Sequence, residues 1–109
     1  MNDETLEIGP NGAWFEWRNE RVSLTRRGPM KRILCVLAEN HQDTKPIDVY
    51  SLFERAWDSE TQDPEKDAQR VYNNVSKLRG MGLDDAILKS SDGYMFDPEI
   101  RVIQHEHLA

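Results

Sequence analysis

Apolar residues recur at helical spacing over three stretches of the chain. Met30, Ile33, Leu34 and Leu37 form the first. Pro29 stands ahead of them where its missing N–H costs nothing, with Thr25 or Gly28 as the opening residue. Val49, Leu52, Phe53, Ala56 and Trp57 mark the second stripe. Asp48 fits its N-cap and Ile47 the outer half of a hydrophobic staple. The third stretch spans residues 64–79, capped by Asp63 and started by Pro64. At about 100° per residue, Ala68, Val71, Val75 and Leu78 fall within one narrow arc, which predicts the face turned to the core. Residues 39–45 read as a polar loop and residues 58–63 as a polar, acidic connection.

Short β-favouring runs flank the helices. Residues 13–17 and 21–24, separated by Arg18-Asn19-Glu20, predict a small antiparallel hairpin. Trp14, Phe15 and Trp17 in it are expected to pack on the helices. The third helix runs into a stop marked by Gly80-Met81-Gly82-Leu83, then a second hairpin of residues 86–89 and 94–96 turned at Ser91-Asp92-Gly93. Residues 1–12 read as a lead-in closing on the turn residues Gly9-Pro10-Asn11-Gly12. Residues 99–109 read as a tail in which Ile100, Val102 and Ile103 add a strand or dock on the body. A helix delivered straight into a hairpin is the unit by which a winged helix-turn-helix presents a recognition helix and a wing. The expected fold is therefore α+β, a winged helix over residues 13–98 with a three-helix core, a short N-terminal hairpin and a C-terminal wing hairpin.

At 109 residues there is room for one domain and one core. The chain is 38% hydrophobic and 31% charged, a composition that can fold and stay in solution. No apolar run approaches the roughly 20 residues of a membrane span, and the acidic N-terminus does not read as a secretory signal. Cys35 is the single cysteine and sits among Ile33, Leu34, Val36 and Leu37, where a small buried hydrophobe is expected. A reducing, cytoplasmic setting follows. His105-Glu106-His107 lacks a third ligand, so a mobile tail is expected rather than a metal site. There is no phosphate-binding glycine loop and no Ser-x-x-Lys or Gly-x-Ser-x-Gly motif, so neither an enzyme nor a cofactor is expected.

Charge changes the picture most. The net charge is −6, which argues against indiscriminate nucleic-acid binding. Yet Arg18, Arg21, Arg26, Arg27, Lys31 and Arg32 face only Glu20 over residues 17–32, and residues 63–80 are also slightly basic. On the third helix, the arc opposite the apolar stripe carries Lys66, Gln69, Arg70, Asn73, Ser76 and Lys77. These types suit phosphate contact and base-edge readout. An ordinary solvated helix face is polar too, but this arc has no carboxylate in a chain that holds 20. Lys89, Ser90 and Ser91 lie near the tip of the C-terminal hairpin, within reach of a phosphate or the minor groove. Asp92 there would repel phosphate if it pointed inward.

Val71, Val75, Leu78-Arg79, Gly82-Leu83, Leu88 and Asp92-Gly93-Tyr94-x-Phe96-Asp97-Pro98 together resemble the winged-helix output domains of OmpR/PhoB-like and SARP-like bacterial transcriptional regulators. Ile33, Leu34 and Leu37 are similar to the first core helix of those domains, and Leu52 with Ala56-Trp57 to the second. The resemblance covers roughly residues 22–98. It implies binding to double-stranded DNA, with the third helix in the major groove and the wing on the adjacent backbone or minor groove. By position, Asn73, Ser76 and Lys77 match the base-facing part of the helix. Gln69 and Arg70 match its phosphate-proximal start, and Arg79 the arginine of the Leu-Arg pair. The 58–63 connection matches the loop that touches RNA polymerase in some members. The departures are the absence of a receiver domain, an N-terminal sheet shorter than four strands and few arginines on the recognition helix. Useful affinity would then call for two copies of the chain or a partner. The competing expectation is a winged helix turned to protein contact through its acidic second helix and the 58–63 loop.

Overall fold

A computed structural model describes residues 4–24, 26 and 28–105. Thr25, Arg27, Glu106 and His107, which figure in the sequence expectations, lie outside the described residues. The chain order is β1 (Thr5–Ile8), β2 (Trp14–Trp17), β3 (Glu20–Ser23), α1 (Gly28–Asn40), α2 (Val49–Trp57), α3 (Pro64–Leu78), β4 (Ile87–Ser90), β5 (Gly93–Phe96) and β6 (Arg101–Gln104). The fold is α+β. Its radius of gyration, 13.2 Å, is that of one folded globule of this length, about 13 Å.

The N-terminal sheet is larger than the sequence predicts. β2 and β3 form the expected antiparallel hairpin, joined at Arg18-Asn19. Both residues have positive φ, 53° and 69°, the backbone that a two-residue turn needs to match the twist of its strands. β1 adds antiparallel to β2, and β6 pairs parallel to β1, giving the order β3-β2-β1-β6. The lead-in and the tail thus each supply a strand, and the sheet has four strands rather than two. Arg18 fastens it to the region beyond α3, with Nε on Glu4 at 2.6 Å and Nη1 on Asp85 at 2.8 Å. That pairing pulls the Glu4 carboxyl below its ordinary pKa.

Period-two alternation puts Leu6, Ile8, Phe15 and Trp17 on the inner face of this sheet, all buried. Trp14 faces the other way. The Arg21 guanidinium lies 3.8 Å from its ring centroid and the His105 ring 5.4 Å away. Phe15 and Trp17 pack as expected, whereas Trp14 covers the outer surface because it is one residue out of phase with them.

The inner face closes on the helices. Met30, Ile33, Leu34, Val36 and Leu37 of α1, and Leu52, Phe53 and Ala56 of α2, are buried in the same core. Trp57 is only partly buried and stacks on Phe53 at 5.0 Å. Cys35 is half-buried rather than buried. Burial and the nearby Glu39 raise its thiol pKa, against the opposing effects of the Gln104 side chain and Lys31. Asp48 caps α2, accepting from the Ser51 N–H at 3.1 Å and from its hydroxyl at 2.6 Å. Among the described residues, no helix is long and apolar enough to cross a membrane.

α3 presents its stripe as predicted, with Ala68, Val71, Val75 and Leu78 buried. Asp63 caps it by accepting from the Lys66 N–H. Asp67, one turn in, is buried and accepts from the backbone N–H groups of Gln62 and Asp63 at 3.1 and 3.3 Å. The angle of entry into α3 is thereby set by two carboxylates. After Leu78 the backbone widens through a π-type turn over Arg79–Leu83 and leaves the helix at Gly82, with φ of +115°. β4 and β5 follow as a hairpin whose register ends on Ser90 opposite Gly93.

Candidate nucleic-acid interface

The side chains predicted to touch a ligand come from α3, the turn after it and the hairpin β4–β5. Their relative position depends on how the hairpin is held. Ile47, just before α2, exchanges two backbone hydrogen bonds with Tyr94 of β5. Ile87 and Phe96 are fully buried, and Tyr94 nearly so. The hairpin is therefore held along the edge of β5 and by its inner face, and Lys89 and Tyr94, a cross-strand pair of that same face, stand beside α3.

A concave surface of about 320 Å³ lies between them, lined by Gln69, Tyr72, Asn73, Val75, Ser76, Arg79, Lys89 and Tyr94. Five of the seven residues singled out in the sequence meet there: Gln69, Asn73, Ser76, Arg79 and Lys89. No carboxylate belongs to this lining. Arg70 and Lys77 do not line it. Both are exposed on the outward flank of α3, which follows from helical spacing, since they lie roughly 80–100° around the axis from Gln69. The seven residues accordingly divide into a concave set between helix and hairpin and a flanking cationic pair, with Lys66 on the same flank.

The polar groups of this face are not equally available. Gln69 Nε2 donates to Asn73 Oδ1 at 2.9 Å, one helical turn on. Asn74 is tied down by a 2.8 Å bond from its Nδ2 to the Arg70 carbonyl. Arg79 is half-buried, and its Nη2 donates to the Asp84 carbonyl at 3.4 Å. Lys89 sits with its Nζ 5.6 Å from the centroid of Tyr72. Tyr72, 40% exposed, meets Tyr94 edge to face at 6.4 Å. Burial pushes the Tyr94 phenol pKa up, Tyr72 adds to the shift and Arg79 works against it. The phenol is therefore a neutral hydrogen-bonding group at physiological pH.

Sequence reasoning missed Tyr72 and Tyr94 as members of this surface. Tyr72 is three residues after Gln69 and four before Ser76, so the same wheel that selected those two places it at their edge. Tyr94 enters the sequence pattern only as part of the Asp92-Gly93-Tyr94 wing motif. A second, smaller concavity of about 210 Å³ shares Tyr72, Lys89 and Tyr94 and continues to Tyr50, Ser90, Ser91 and Asp92 at the hairpin tip. Asp92 is therefore on the α2 side of the tip and not in the lining of the α3 concavity. Ser90 is engaged in the turn, where its Oγ accepts from the Asp92 N–H at 3.2 Å.

The first basic cluster lies elsewhere. Lys31 and Arg32 line a larger cavity of about 740 Å³ between α1 and α2, together with Arg55 and the carboxylates of Glu39, Glu54 and Asp58. Arg32 Nη1 donates to the Ala56 carbonyl at 3.3 Å, and Arg55 pairs with Glu39 at 3.2 Å. Glu54 and Asp58, brought by α2, thus stand among these cations, and neither Lys31 nor Arg32 lines the α3 concavity. The 58–63 connection beside this cavity is pinned by Glu54, which accepts from the Thr61 N–H, and by Asp67. Among the described residues, no group of three or more His, Cys, Asp or Glu side chains could hold a metal ion.

Searches against protein-family profiles, characterised proteins and solved structures returned no match.

Proposed function

We propose that this chain is a winged-helix domain that binds double-stranded DNA in a sequence-specific manner, as the DNA-binding part of a transcriptional regulator. α3 enters the major groove, and the β4–β5 hairpin rests on the adjacent backbone or minor groove. The observation that carries the proposal is the carboxylate-free concavity between α3 and the hairpin. In a chain of net charge −6, it gathers two amides, a hydroxyl, two phenols and two cations. Asn73 supplies base-edge chemistry, and Arg70, Lys77, Arg79 and Lys89 supply phosphate contact.

Four cations neutralise few phosphates. At about −0.9 per contact, log K should fall with log salt at a slope of roughly −4 or shallower. Affinity from one copy is correspondingly modest, so the proposed regulator works as a homodimer or beside a protein partner. The acidic 58–63 connection, exposed along most of its length and fixed by Glu54 and Asp67, is the surface proposed for RNA polymerase or another protein. That same surface supports the competing proposal, a winged helix used for protein contact alone.

Fluorescence anisotropy with random-sequence duplex, begun at low salt and repeated as salt rises, separates the two. DNA binding predicts saturable association with the shallow slope above. Protein contact alone predicts no association at the lowest salt.

A further inference from the structure

We propose that Tyr72 is a positioning residue for DNA binding, whose ring carries the Lys89 ammonium and keeps it at the α3 concavity for a backbone phosphate. This rests on the DNA-binding proposal above. Lys89 is the only cation in residues 87–96, so the hairpin's contact with phosphate depends on where that one side chain stands. A lysine stem is long and flexible, and ordering it on binding costs affinity unless it is ordered beforehand. Three side chains from three elements fix its place. Lys89 of β4 and Tyr94 of β5 are cross-strand partners. Tyr94, nearly buried and bonded through its backbone to Ile47, meets Tyr72 of α3 edge to face at 6.4 Å. Tyr72 in turn receives Lys89 Nζ over its ring, 5.6 Å from the centroid, within the range at which the negative ring face attracts a cation. A half-turn of the phenol ring about its own axis reproduces the same two faces, so ring flipping leaves the contact unchanged.

Tyr72 stands where the two concavities meet, since it lines both together with Lys89 and Tyr94. They differ in charge. The α3 concavity has no carboxylate in its lining, whereas the tip concavity includes Asp48 and Asp92. Asp48 is committed to Ser51, from which both of its oxygens accept. The Asp92 carboxylate would draw a lysine released from the ring toward the tip and away from phosphate. Lys89 is exposed, so the side of the ammonium away from the ring stays open to a phosphate oxygen while the ring holds the other. Tyr72 thus acts through Lys89, without itself touching DNA.

The test uses random-sequence duplex at low salt, read by fluorescence anisotropy. Lys89→Gln should weaken binding and make the salt slope shallower by about one, the signature of a lost phosphate contact. Tyr72→Leu, which removes the ring but keeps an apolar side chain against Tyr94, should weaken binding about 2- to 5-fold. Tyr72→Phe keeps the ring and should bind like wild type. In a Lys89→Gln background, Tyr72→Leu should have no further effect. In the free protein, NMR should show the Lys89 ε-methylene protons shifted upfield by the Tyr72 ring, with the shift lost in Tyr72→Leu and kept in Tyr72→Phe.

A loss in Tyr72→Leu that persists in the Lys89→Gln background, or no loss at all, overturns the positioning role and leaves DNA binding standing. So does a salt slope indifferent to Lys89→Gln, or a Lys89 proton shift indifferent to Tyr72→Leu. Wild-type protein that binds no duplex overturns the DNA-binding assignment, and the positioning role falls with it.

Discussion

Ile47 and Tyr94 hold each other by a reciprocal pair of backbone hydrogen bonds, Ile47 N–H to Tyr94 O at 2.8 Å and Tyr94 N–H to Ile47 O at 3.0 Å. The bridge gives the β4–β5 hairpin a third, one-residue strand, and it ties the start of α2 to the wall of the proposed interface. The adjacent Gly93 makes it possible. Its φ is +136°, and a Cβ at this position would collide with the Ile47 carbonyl. Gly93→Ala should therefore cost at least about 2 kcal/mol, seen as a lower urea midpoint. An unchanged midpoint would mean that the hairpin is not docked on the 47–48 segment.

Leu78 tests the orientation of α3. It is fully buried at the C-terminal end of the apolar stripe. Leu78→Ala should destabilise the fold by about 2–5 kcal/mol, whereas Lys77→Ala, one residue away and exposed, should leave the melting temperature close to wild type. The reverse pattern would place the helix the wrong way round.

Asp48 links stability to pH. Hydrogen bonds from the Ser51 hydroxyl and then from the Ser51 N–H hold its carboxyl below the ordinary aspartate range. Because the folded pKa is the lower one, the stabilisation is fully present above the unfolded value of about 3.9. It is lost as pH falls through the folded value. Asp48→Ala should cost about 1 kcal/mol at neutral pH, and the difference from wild type should shrink in denaturation curves taken at progressively lower pH. A difference independent of pH would contradict the cap.

Arg70 and Asn73 should behave differently on DNA. Arg70 lies on the flank, outside the concavity, so Arg70→Ala should weaken preferred and random duplex alike and make the salt slope shallower by about one. Asn73→Ala should cost about 1–3 kcal/mol on the preferred site and little on random duplex. Anisotropy titrations of both variants on both duplexes give the comparison. Equal effects of the two variants on both duplexes would remove the division into reading and flanking residues.

The features legible in the sequence are those written in local periodicity and end chemistry. Ala68, Val71, Val75 and Leu78 declare the inner face of α3 because burial follows the helical repeat. Asp48 and Asp63 announce their helices because a side-chain oxygen is needed at the position before the first turn. The hairpin β4–β5 is marked by Asp92-Gly93 between two apolar runs. The outer arc of α3 follows from the inner one, and with it most of the candidate site.

What was not legible depends on partners distant in sequence. β1 and β6 pair although Leu6 and Val102 stand almost a chain length apart, and neither four-residue strand carries enough pattern to name its partner. Trp14 shares its aromatic character with Phe15 and Trp17, and only its strand phase, opposite to theirs, turns it to the outer surface. Asp67 reads as one more solvated acid until the chain before α3 bends back to use it. Lys31 and Arg32 look free in the sequence, and only the packing of α2 on α1 brings Glu54 and Asp58 to their cavity.

The central claim is that the face between α3 and the β4–β5 hairpin carries duplex DNA. Its most direct test is a two-dimensional ¹H–¹⁵N NMR titration of the whole chain with a short duplex at low salt. The account predicts the largest shifts at Gln69, Arg70, Tyr72, Asn73, Ser76, Arg79 and Lys89, with little change at Lys31, Arg32, Glu39, Glu54 and Asp58. Shifts concentrated on that second group, or no shifts at duplex excess, would contradict it.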